Sequence, residues 1–225
     1  MHVCFRHNIM IGIASGLSYL HSECTEAIVH RDIKPANVML SKSFNAKLAD
    51  FGLVTQVRHT QTSRPTNNVS GTPSYVDPAY TETGKVSGQC DVYSLGVVLL
   101  EIVCGRRPSI ILQGAGGGKN NVIEMVRECD GRDRILDAAD EELRGQFDLE
   151  MEAVLRLGLQ CVLPDRHNRP HTGRVRDRLT ELLASRNGRT YQRPSEEEQG
   201  EFGTCRTTFS RAGEEAGGSC ILSAS

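Results

Sequence analysis

Four polar residues near the start of the chain could together carry out phosphoryl transfer. Residues 30–37 read His-Arg-Asp-Ile-Lys-Pro-Ala-Asn, which places Asp32, Lys34 and Asn37 in one short segment, and Asp50 opens a later Asp-Phe-Gly triplet. A carboxylate can accept a hydroxyl proton, an ammonium group can neutralise a phosphoryl group, and carboxylate and amide oxygens are Mg²⁺ ligands. The alternative is that these are ordinary turn residues. The occurrence of all of these residue types in this order would then be a coincidence.

The two segments, in this order, are similar to the catalytic loop and the Asp-Phe-Gly element of protein kinases. The resemblance implies that Asp32 is the catalytic base and that Lys34 stabilises charge on the transferring phosphoryl group. It also implies that Asn37 and Asp50 bind Mg²⁺, and that they bind ATP together with Lys34 and with Met39, which would form part of the adenine floor. ATP and Mg²⁺ are therefore the expected cofactors.

The resemblance extends over residues 1–185, which are similar to the C-terminal lobe of a eukaryotic protein kinase in order and spacing. Residues 70–79 match the substrate-binding loop of that lobe. Asp91 matches the aspartate that holds the backbone of the catalytic loop, and Arg169 matches an arginine near the last helices. By the same resemblance, Thr72 would bridge the catalytic base and the loop lysine.

Residues 32–37, Asp-Ile-Lys-Pro-Ala-Asn, resemble the serine/threonine class of kinases rather than the tyrosine class, which has Ala-Ala-Arg in this loop. A closer likeness is to plant receptor-like kinases, specifically the kinase domains of L-type lectin-domain receptor kinases. The segments that carry it are residues 28–40, 44–48 and 94–108. The implied function is ATP-dependent phosphorylation of Ser/Thr hydroxyl groups in protein substrates. The implied location is cytoplasmic, at the plasma membrane if the chain is part of a longer receptor.

Two departures from the family pattern limit this expectation. Residues 1–29 read as a helix, so the Gly-rich phosphate loop, the strand lysine and its partner glutamate have no place, and we expect the N-terminal lobe to be absent. Residues 114–120 are glycine-rich but fit neither nucleotide-binding motif, so a solvated loop is predicted there.

The second departure is Ala79, which stands where the family has a glutamate that pairs with the arginine matched by Arg169. An unpaired buried arginine typically costs about 3–5 kcal/mol, so we expect the substrate loop to fold poorly.

The segment after the Asp-Phe-Gly triplet is rich in hydroxyl groups that could be phosphorylated. These residues are Thr55, Thr60, Thr62, Ser63, Thr66 and Ser70. Arg31, next to the predicted base, could pair with a phosphate there, although an ordinary polar loop is the alternative. His30 is interpreted as a packed scaffold residue rather than an acid-base group.

The spacing of apolar residues predicts the elements that must position these side chains: a mainly α-helical protein with short strands around the catalytic loop. Helices are predicted over residues 8–21, 91–104, 122–129, 151–162 and 172–183, and strands over residues 28–29, 38–40 and 46–49. The helix at residues 91–104 is nearly all apolar, which is typical of a central core helix. Residues 51–83 are predicted to form a long functional loop, and residues 186–225 a disordered Gly/Ser/Glu-rich tail.

Composition excludes several other classes of protein. With 26 Lys+Arg against 28 Asp+Glu, the net charge of −2 does not favour nucleic-acid binding. The longest apolar run, residues 95–100, is far below the ~20 residues of a membrane span. No secretory signal is predicted at the N-terminus. The eight cysteines form no Cys-x-x-Cys pair, so reduced thiols are expected rather than a zinc site or a disulfide scaffold.

Two rival interpretations remain open at this point. The chain could be a non-catalytic kinase-lobe fragment, an interaction module that binds a full-length kinase or its substrates without turnover. It could also be an unrelated α-helical enzyme, which requires both motifs to be accidental. The expected partners are protein substrates with Ser/Thr hydroxyl groups, ATP and, for the interaction module, a full-length kinase.

Overall fold

A computed structural model of the chain describes residues 3–108, 121–145 and 147–187. The helices within these ranges are α1 (Val3–Ser22), α2 (Pro78–Thr83), α3 (Gly88–Cys104), α4 (Val122–Asp130), α5 (Asp148–Cys161) and α6 (Thr172–Asn187). Short 3₁₀ turns lie at Pro35–Asn37, Ile135–Ala138, Glu141–Leu143 and Arg166–Asn168. None of the helices described is both long enough and apolar enough to cross a lipid bilayer.

The strands of the described residues are short and pair as antiparallel two-stranded sheets. The pairs are β1 (Ala27–Val29) with β4 (Thr55–Val57), β2 (Val38–Leu40) with β3 (Ala46–Leu48), and β5 (Arg64–Pro65) with β6 (Lys85–Val86). Residues 30–37 connect β1 to β2, so each end of this segment is fixed by a ladder. Strand β3 lies against α1 so closely that a Cβ atom on Gly12 would be 2.9 Å from the Ala46 carbonyl oxygen.

Helix α3 lies at the centre of the core. Its residues 90–100 are all buried, including the polar Asp91 and Ser94. The helix packs closely on α5, because a Cβ atom on Gly96 would lie 2.5 Å from Cys161 Cβ. Helix α1 buries Ile13 and Leu17 against the same core and packs against α6. The central helix therefore connects the element that carries residues 30–37 to the rest of the fold.

Comparison with the expectations confirms the five predicted helices and the three predicted strands. Helix α1 begins at Val3 rather than at residue 8; its first turns bury Arg6 and His7, which are polar and so do not contribute to an apolar period. The long loop predicted for residues 51–83 is partly wrong: β4, β5 and α2 lie within it. These elements are too short to show a period, and the two strands pair with partners distant in sequence.

Two predicted segments lie largely or wholly beyond the described residues. The glycine-rich loop at residues 114–120 is outside them. Of the predicted tail, residues 186 and 187 continue α6, and residues 188–225 are outside the described ranges.

Candidate active site

Residues 30–37 are held in place by one buried carboxylate from the central helix. The Asp91 side chain is fully buried and accepts hydrogen bonds from the backbone N–H groups of His30 and Arg31, each at 2.7 Å. His21 of α1 lies 2.9 Å from the same carboxylate through its Nε2 atom. Arg31 has a φ of 71°, a left-handed conformation that is costly for a non-glycine residue. The two backbone hydrogen bonds stabilise that conformation. They are the contact that the family resemblance implied for Asp91.

The Asp32 side chain accepts hydrogen bonds from three other side chains. Lys34 Nζ donates to Oδ2 at 2.7 Å, and Asn37 Nδ2 donates to Oδ2 at 2.9 Å. Thr72 donates to Oδ1 from its hydroxyl group at 2.7 Å and from its backbone N–H at 3.1 Å. Burial alone would raise the pKa of Asp32, but the hydrogen bonds from Lys34, Thr72 and Asn37 outweigh burial and lower it. Asp32 is therefore an ionised acceptor at neutral pH.

Thr72 and Lys34 complete this cluster from two sides. Lys34 Nζ donates to Thr72 Oγ1 at 2.9 Å while it also pairs with Asp32. The threonine thus bridges Asp32 and Lys34, which confirms the contact that the family resemblance implied. Because Thr72 belongs to residues 70–79, which match the substrate-binding loop in sequence and are called the substrate loop here, the cluster joins this loop to the segment 30–37.

Asn37 and Asp50 present oxygen atoms of the kind that Mg²⁺ prefers. Asn37 is buried in a 3₁₀ turn and donates from Nδ2 to the Asp32 backbone carbonyl at 2.9 Å and to its carboxylate, which leaves its amide oxygen as an acceptor. Asp50 is exposed, has a φ of 61°, and receives one long hydrogen bond, 3.4 Å, from the Gly52 N–H. Across the described residues, no three His, Cys, Asp or Glu side chains are grouped as a metal site. Mg²⁺ commonly uses one or two protein ligands with phosphate oxygens and water, so this donor set fits it.

His30 packs as a scaffold between the two motifs, as interpreted from the sequence. It is fully buried, its Nε2 lies 3.1 Å from the Ala49 carbonyl oxygen, and its ring centroid lies 5.0 Å from that of Phe51. Its Nδ1 accepts a 3.4 Å hydrogen bond from the Asp32 backbone N–H. The imidazole therefore ties the backbone of Asp32 to the residues on either side of Asp50.

Met39 lies on β2 with an exposed apolar side chain. Its side chain is 57% exposed, and the neighbouring Leu40 is 46% exposed. Phe5 of α1 stacks on Phe44, which follows β2, with ring centroids 4.1 Å apart. An apolar surface therefore lies on the strand that directly follows Asn37.

The predicted lack of a partner for Arg169 is wrong. Arg169 donates from Nη2 to Asp77 Oδ1 at 2.9 Å and lies equally close to Oδ2 through Nη1, a bidentate ion pair. Asp77 also accepts from Arg166 Nε at 3.0 Å and from the Ala79 N–H at 3.0 Å, which caps α2. The carboxylate expected at position 79 is thus supplied by position 77. The Asp-Pro pair before a short helix was the available signal, because aspartate favours helix caps.

A second support of the substrate loop was not predicted from the sequence. The Tyr75 hydroxyl donates to Glu101 Oε2 at 2.7 Å, and Ser94 Oγ donates to the Tyr75 carbonyl at 2.8 Å. Burial, and then the hydrogen bond to Glu101, raise the pKa of Tyr75. Helix α3 therefore holds the substrate loop as well as the segment 30–37.

Comparison with known proteins agrees with this geometry. The protein kinase domain model matches residues 4–178. A probable L-type lectin-domain containing receptor kinase S.7 of Arabidopsis thaliana is 44% identical over 171 residues, which are 76% of this chain and 25% of that protein. L-type lectin-domain containing receptor kinase S.7 of Oryza sativa subsp. japonica is 44% identical over 174 residues, with 76% and 24% covered. The chain spans about a quarter of the length of these relatives.

Proposed function

Since the chain belongs to the protein kinase family, we propose that it is a serine/threonine kinase of the receptor-like type and that residues 1–185 are its C-terminal lobe. The observation that carries the proposal is the Asp32 carboxylate, held in a single position by Lys34, Asn37 and Thr72. Phosphoryl transfer requires positioning and charge stabilisation more than covalent chemistry from the protein. This cluster supplies both.

In the proposed mechanism, Asp32 accepts a hydrogen bond from the substrate hydroxyl group and orients its oxygen toward the γ-phosphorus of ATP. A carboxylate with a lowered pKa is a weak base, so Asp32 takes the proton late. By then the new oxygen–phosphorus bond is forming and the bond from the γ-phosphorus to its bridging oxygen is breaking, with ADP as the leaving group. Lys34 stabilises the negative charge of the transferring group from its position beside Asp32.

The nucleotide side of the site is assigned to three residues. Asn37 and Asp50 would hold Mg²⁺, which supplies positive charge to the phosphates of ATP when it is bound. Met39 would contact the adenine base with its exposed apolar side chain. Specificity for Ser/Thr is supported by the Lys34-Pro35 pair and by the bridge from Thr72 to Lys34.

We propose further that these 225 residues alone transfer phosphate weakly or not at all, because they contain no Gly-rich phosphate loop of the kinase spacing. A second candidate function is an interaction module that binds a full-length kinase or its protein substrates. The exposed apolar side chains of Met39 and Leu40 favour it, because a partner could cover them.

The test is transfer of labelled phosphate from Mg²⁺-ATP to a generic protein substrate by the purified chain, followed by identification of the phosphorylated amino acid. We expect a low rate, phosphoserine or phosphothreonine as product, and a loss of at least about 100-fold in Asp32→Asn. Asp177→Asn, on an exposed face of α6, is the matched control and should leave the rate unchanged.

Phosphotyrosine as the product would contradict the serine/threonine assignment. Transfer that Asp32→Asn does not reduce would contradict the role of Asp32. A folded chain that neither binds ATP nor transfers phosphate would favour the interaction module.

A further inference from the structure

Tyr80 joins the segment 30–37 to the residues that lead into the substrate loop. The side chain belongs to α2 and is 1% exposed. Its hydroxyl group accepts hydrogen bonds from Arg31 Nη2 at 2.6 Å and from the Ser70 N–H at 3.3 Å, and it donates to the Asn68 carbonyl at 3.3 Å. A tyrosine hydroxyl offers one donor and two acceptor positions, so all of its hydrogen-bonding capacity is used here.

The Arg31 guanidinium group is bound by neutral partners at both of its terminal nitrogens. Nη1 donates to the Leu53 carbonyl and to Thr55 Oγ1, each at 3.1 Å, and Nη2 donates to the Asn68 carbonyl at 2.8 Å as well as to Tyr80. The guanidinium carbon also lies 5.6 Å from the centroid of the Tyr80 ring. A phosphate group could therefore bind the terminal nitrogens of Arg31 only by displacing one of these partners.

The backbone that Tyr80 holds leads directly to the Asp32 cluster. Ser70 is followed by Gly71, whose φ is 137°, and a Cβ atom there would lie 2.9 Å from the Arg31 carbonyl oxygen. The next residue, Thr72, donates both its N–H and its hydroxyl group to Asp32. A shift of the Ser70 backbone would thus move Thr72 away from the carboxylate.

We propose that Tyr80 is a positioning residue for this site. Its hydroxyl group holds Arg31 and residues 68–72 together, so that Thr72 reaches Asp32 without a phosphate on the hydroxyl-rich segment. The relevance to catalysis rests on the proposed function, whereas the ordering of residues 68–72 does not. The sequence left open whether Arg31 pairs with a phosphate in the hydroxyl-rich segment; in the structure its terminal donors are occupied by neutral partners.

The variant that isolates this hydroxyl group is Tyr80→Phe, which keeps the ring and its contact with Arg31. Tyr93→Phe is the matched control, because Tyr93 is also largely buried and its ring faces another arginine, Arg169, at 5.1 Å. Both variants are compared with the wild-type chain of 225 residues after phosphatase treatment, so that no phosphate contributes to the order of the segment.

The measurements are amide hydrogen exchange and the NMR signal of the Arg31 Nε–H group. In Tyr80→Phe we expect the amides of residues 68–72 to exchange about tenfold faster. The variant loses the hydroxyl group that bonds the charged Arg31 side chain and the backbone of Ser70 and Asn68, and the loss of such bonds is large enough for this change. We also expect the chemical shift of the Arg31 Nε–H signal to change. A loss of stability elsewhere in the fold would not change it. Tyr93→Phe should leave residues 68–72 and the Arg31 signal as they are in the wild-type chain.

Two results would overturn the proposal. One is equal exchange at residues 68–72 in Tyr80→Phe and in the phosphatase-treated wild-type chain. The other is faster exchange in Tyr80→Phe that is uniform over the whole fold. Neither readout requires ATP turnover, so a failure of this proposal can be told apart from a failure of the kinase assignment.

Discussion

Asp77 is the residue on which two arginines and the start of one helix depend. Its carboxylate is fully buried and pairs with Arg169 and Arg166 while it caps α2. A paired guanidinium group is tolerated in the interior, whereas an unpaired one keeps its desolvation cost without a compensating attraction. Asp77 therefore carries the charge that the family pattern places at position 79. Arg169 remains paired although position 79 is an alanine.

Replacement of Asp77 by alanine should lower the free energy of unfolding by about 3–5 kcal/mol, because Arg169 is then buried without a carboxylate. Urea unfolding followed by circular dichroism measures the change. Asp177→Ala, at an exposed position of α6, is the control and should have no measurable effect. Equal losses in the two variants would contradict the role assigned to Asp77.

The Asp32 cluster could be predicted from the sequence because its motif residues lie close together along the chain. Asp32, Lys34 and Asn37 lie in the one segment 30–37, and their side chains are in contact. The pairing of Asp77 with Arg169 could not be read in the same way, since 92 residues separate the two. Only the packing of α2 against the turn before α6 brings these charges together.

At the scale of elements, the contact between α3 and α5 depends on a glycine in each helix. A Cβ atom on Gly96 would lie 2.5 Å from Cys161 Cβ and 3.0 Å from the Gly158 carbonyl oxygen. A Cβ atom on Gly158 would lie 2.6 Å from Leu100 Cδ2. The two helices can approach this closely only where side chains are absent, so the core that positions Asp91 depends on both residues.

Gly96→Ala should destabilise the fold by about 1–3 kcal/mol, because overpacking outweighs the higher helix propensity of alanine. Thermal unfolding measures the effect. Gly173→Ala in α6 is the matched control, since the nearest atom to its added Cβ is Ser18 Oγ at an ordinary 3.6 Å. A Gly96→Ala chain as stable as Gly173→Ala would show that the two helices separate at little cost.

A second element-scale contact makes stability depend on pH. Arg6 of α1 donates to Asp140 Oδ2 at 2.6 Å and to the Ile102 carbonyl of α3 at 2.9 Å. Burial acts to raise the pKa of Asp140, but the hydrogen bonds from Arg6 and from the Glu142 backbone outweigh it and lower the pKa. A lowered folded-state pKa means stabilisation that is complete above the ordinary value of 3.8 and is lost as pH falls through the folded-state value.

Asp140→Asn should therefore lose less unfolding free energy than the wild-type chain as the pH falls through 3.8 and below. Urea unfolding at each pH gives the comparison, with Asp177→Asn as the control that should follow the wild-type curve. If Asp140→Asn and wild type lose stability in parallel, the ion pair with Arg6 does not contribute to the acid limb.

The long helices and strands β1, β2 and β3 could be predicted from the sequence, whereas β4, β5 and α2 could not. Helices α1 and α5 bury apolar positions that repeat at helical spacing, and α3 is a nearly continuous apolar run; both patterns are local properties of the chain. Strands β4 and β5 contain two or three residues each, and their partners β1 and β6 lie elsewhere in the sequence. Their pairing is decided by tertiary packing, which no local pattern records.

At the scale of the whole molecule, the central helix supports both the segment 30–37 and residues 70–79. Asp91 of α3 fixes the backbone beside Asp32, and Glu101 of the same helix holds Tyr75 in the substrate loop. Asn37, Asp50 and Met39 carry the groups proposed to bind the nucleotide, two of them at exposed positions. The central claim is that these residues form one nucleotide and phosphoryl-transfer site.

The most direct test is an NMR titration of the isotope-labelled chain with ATP in the presence and absence of Mg²⁺. We expect signal changes at Asn37, Asp50 and Met39 that require both additions, even if the affinity is low, and that disappear in Asp50→Asn. A chain shown to be folded whose signals at these residues do not respond to Mg²⁺-ATP would contradict the account.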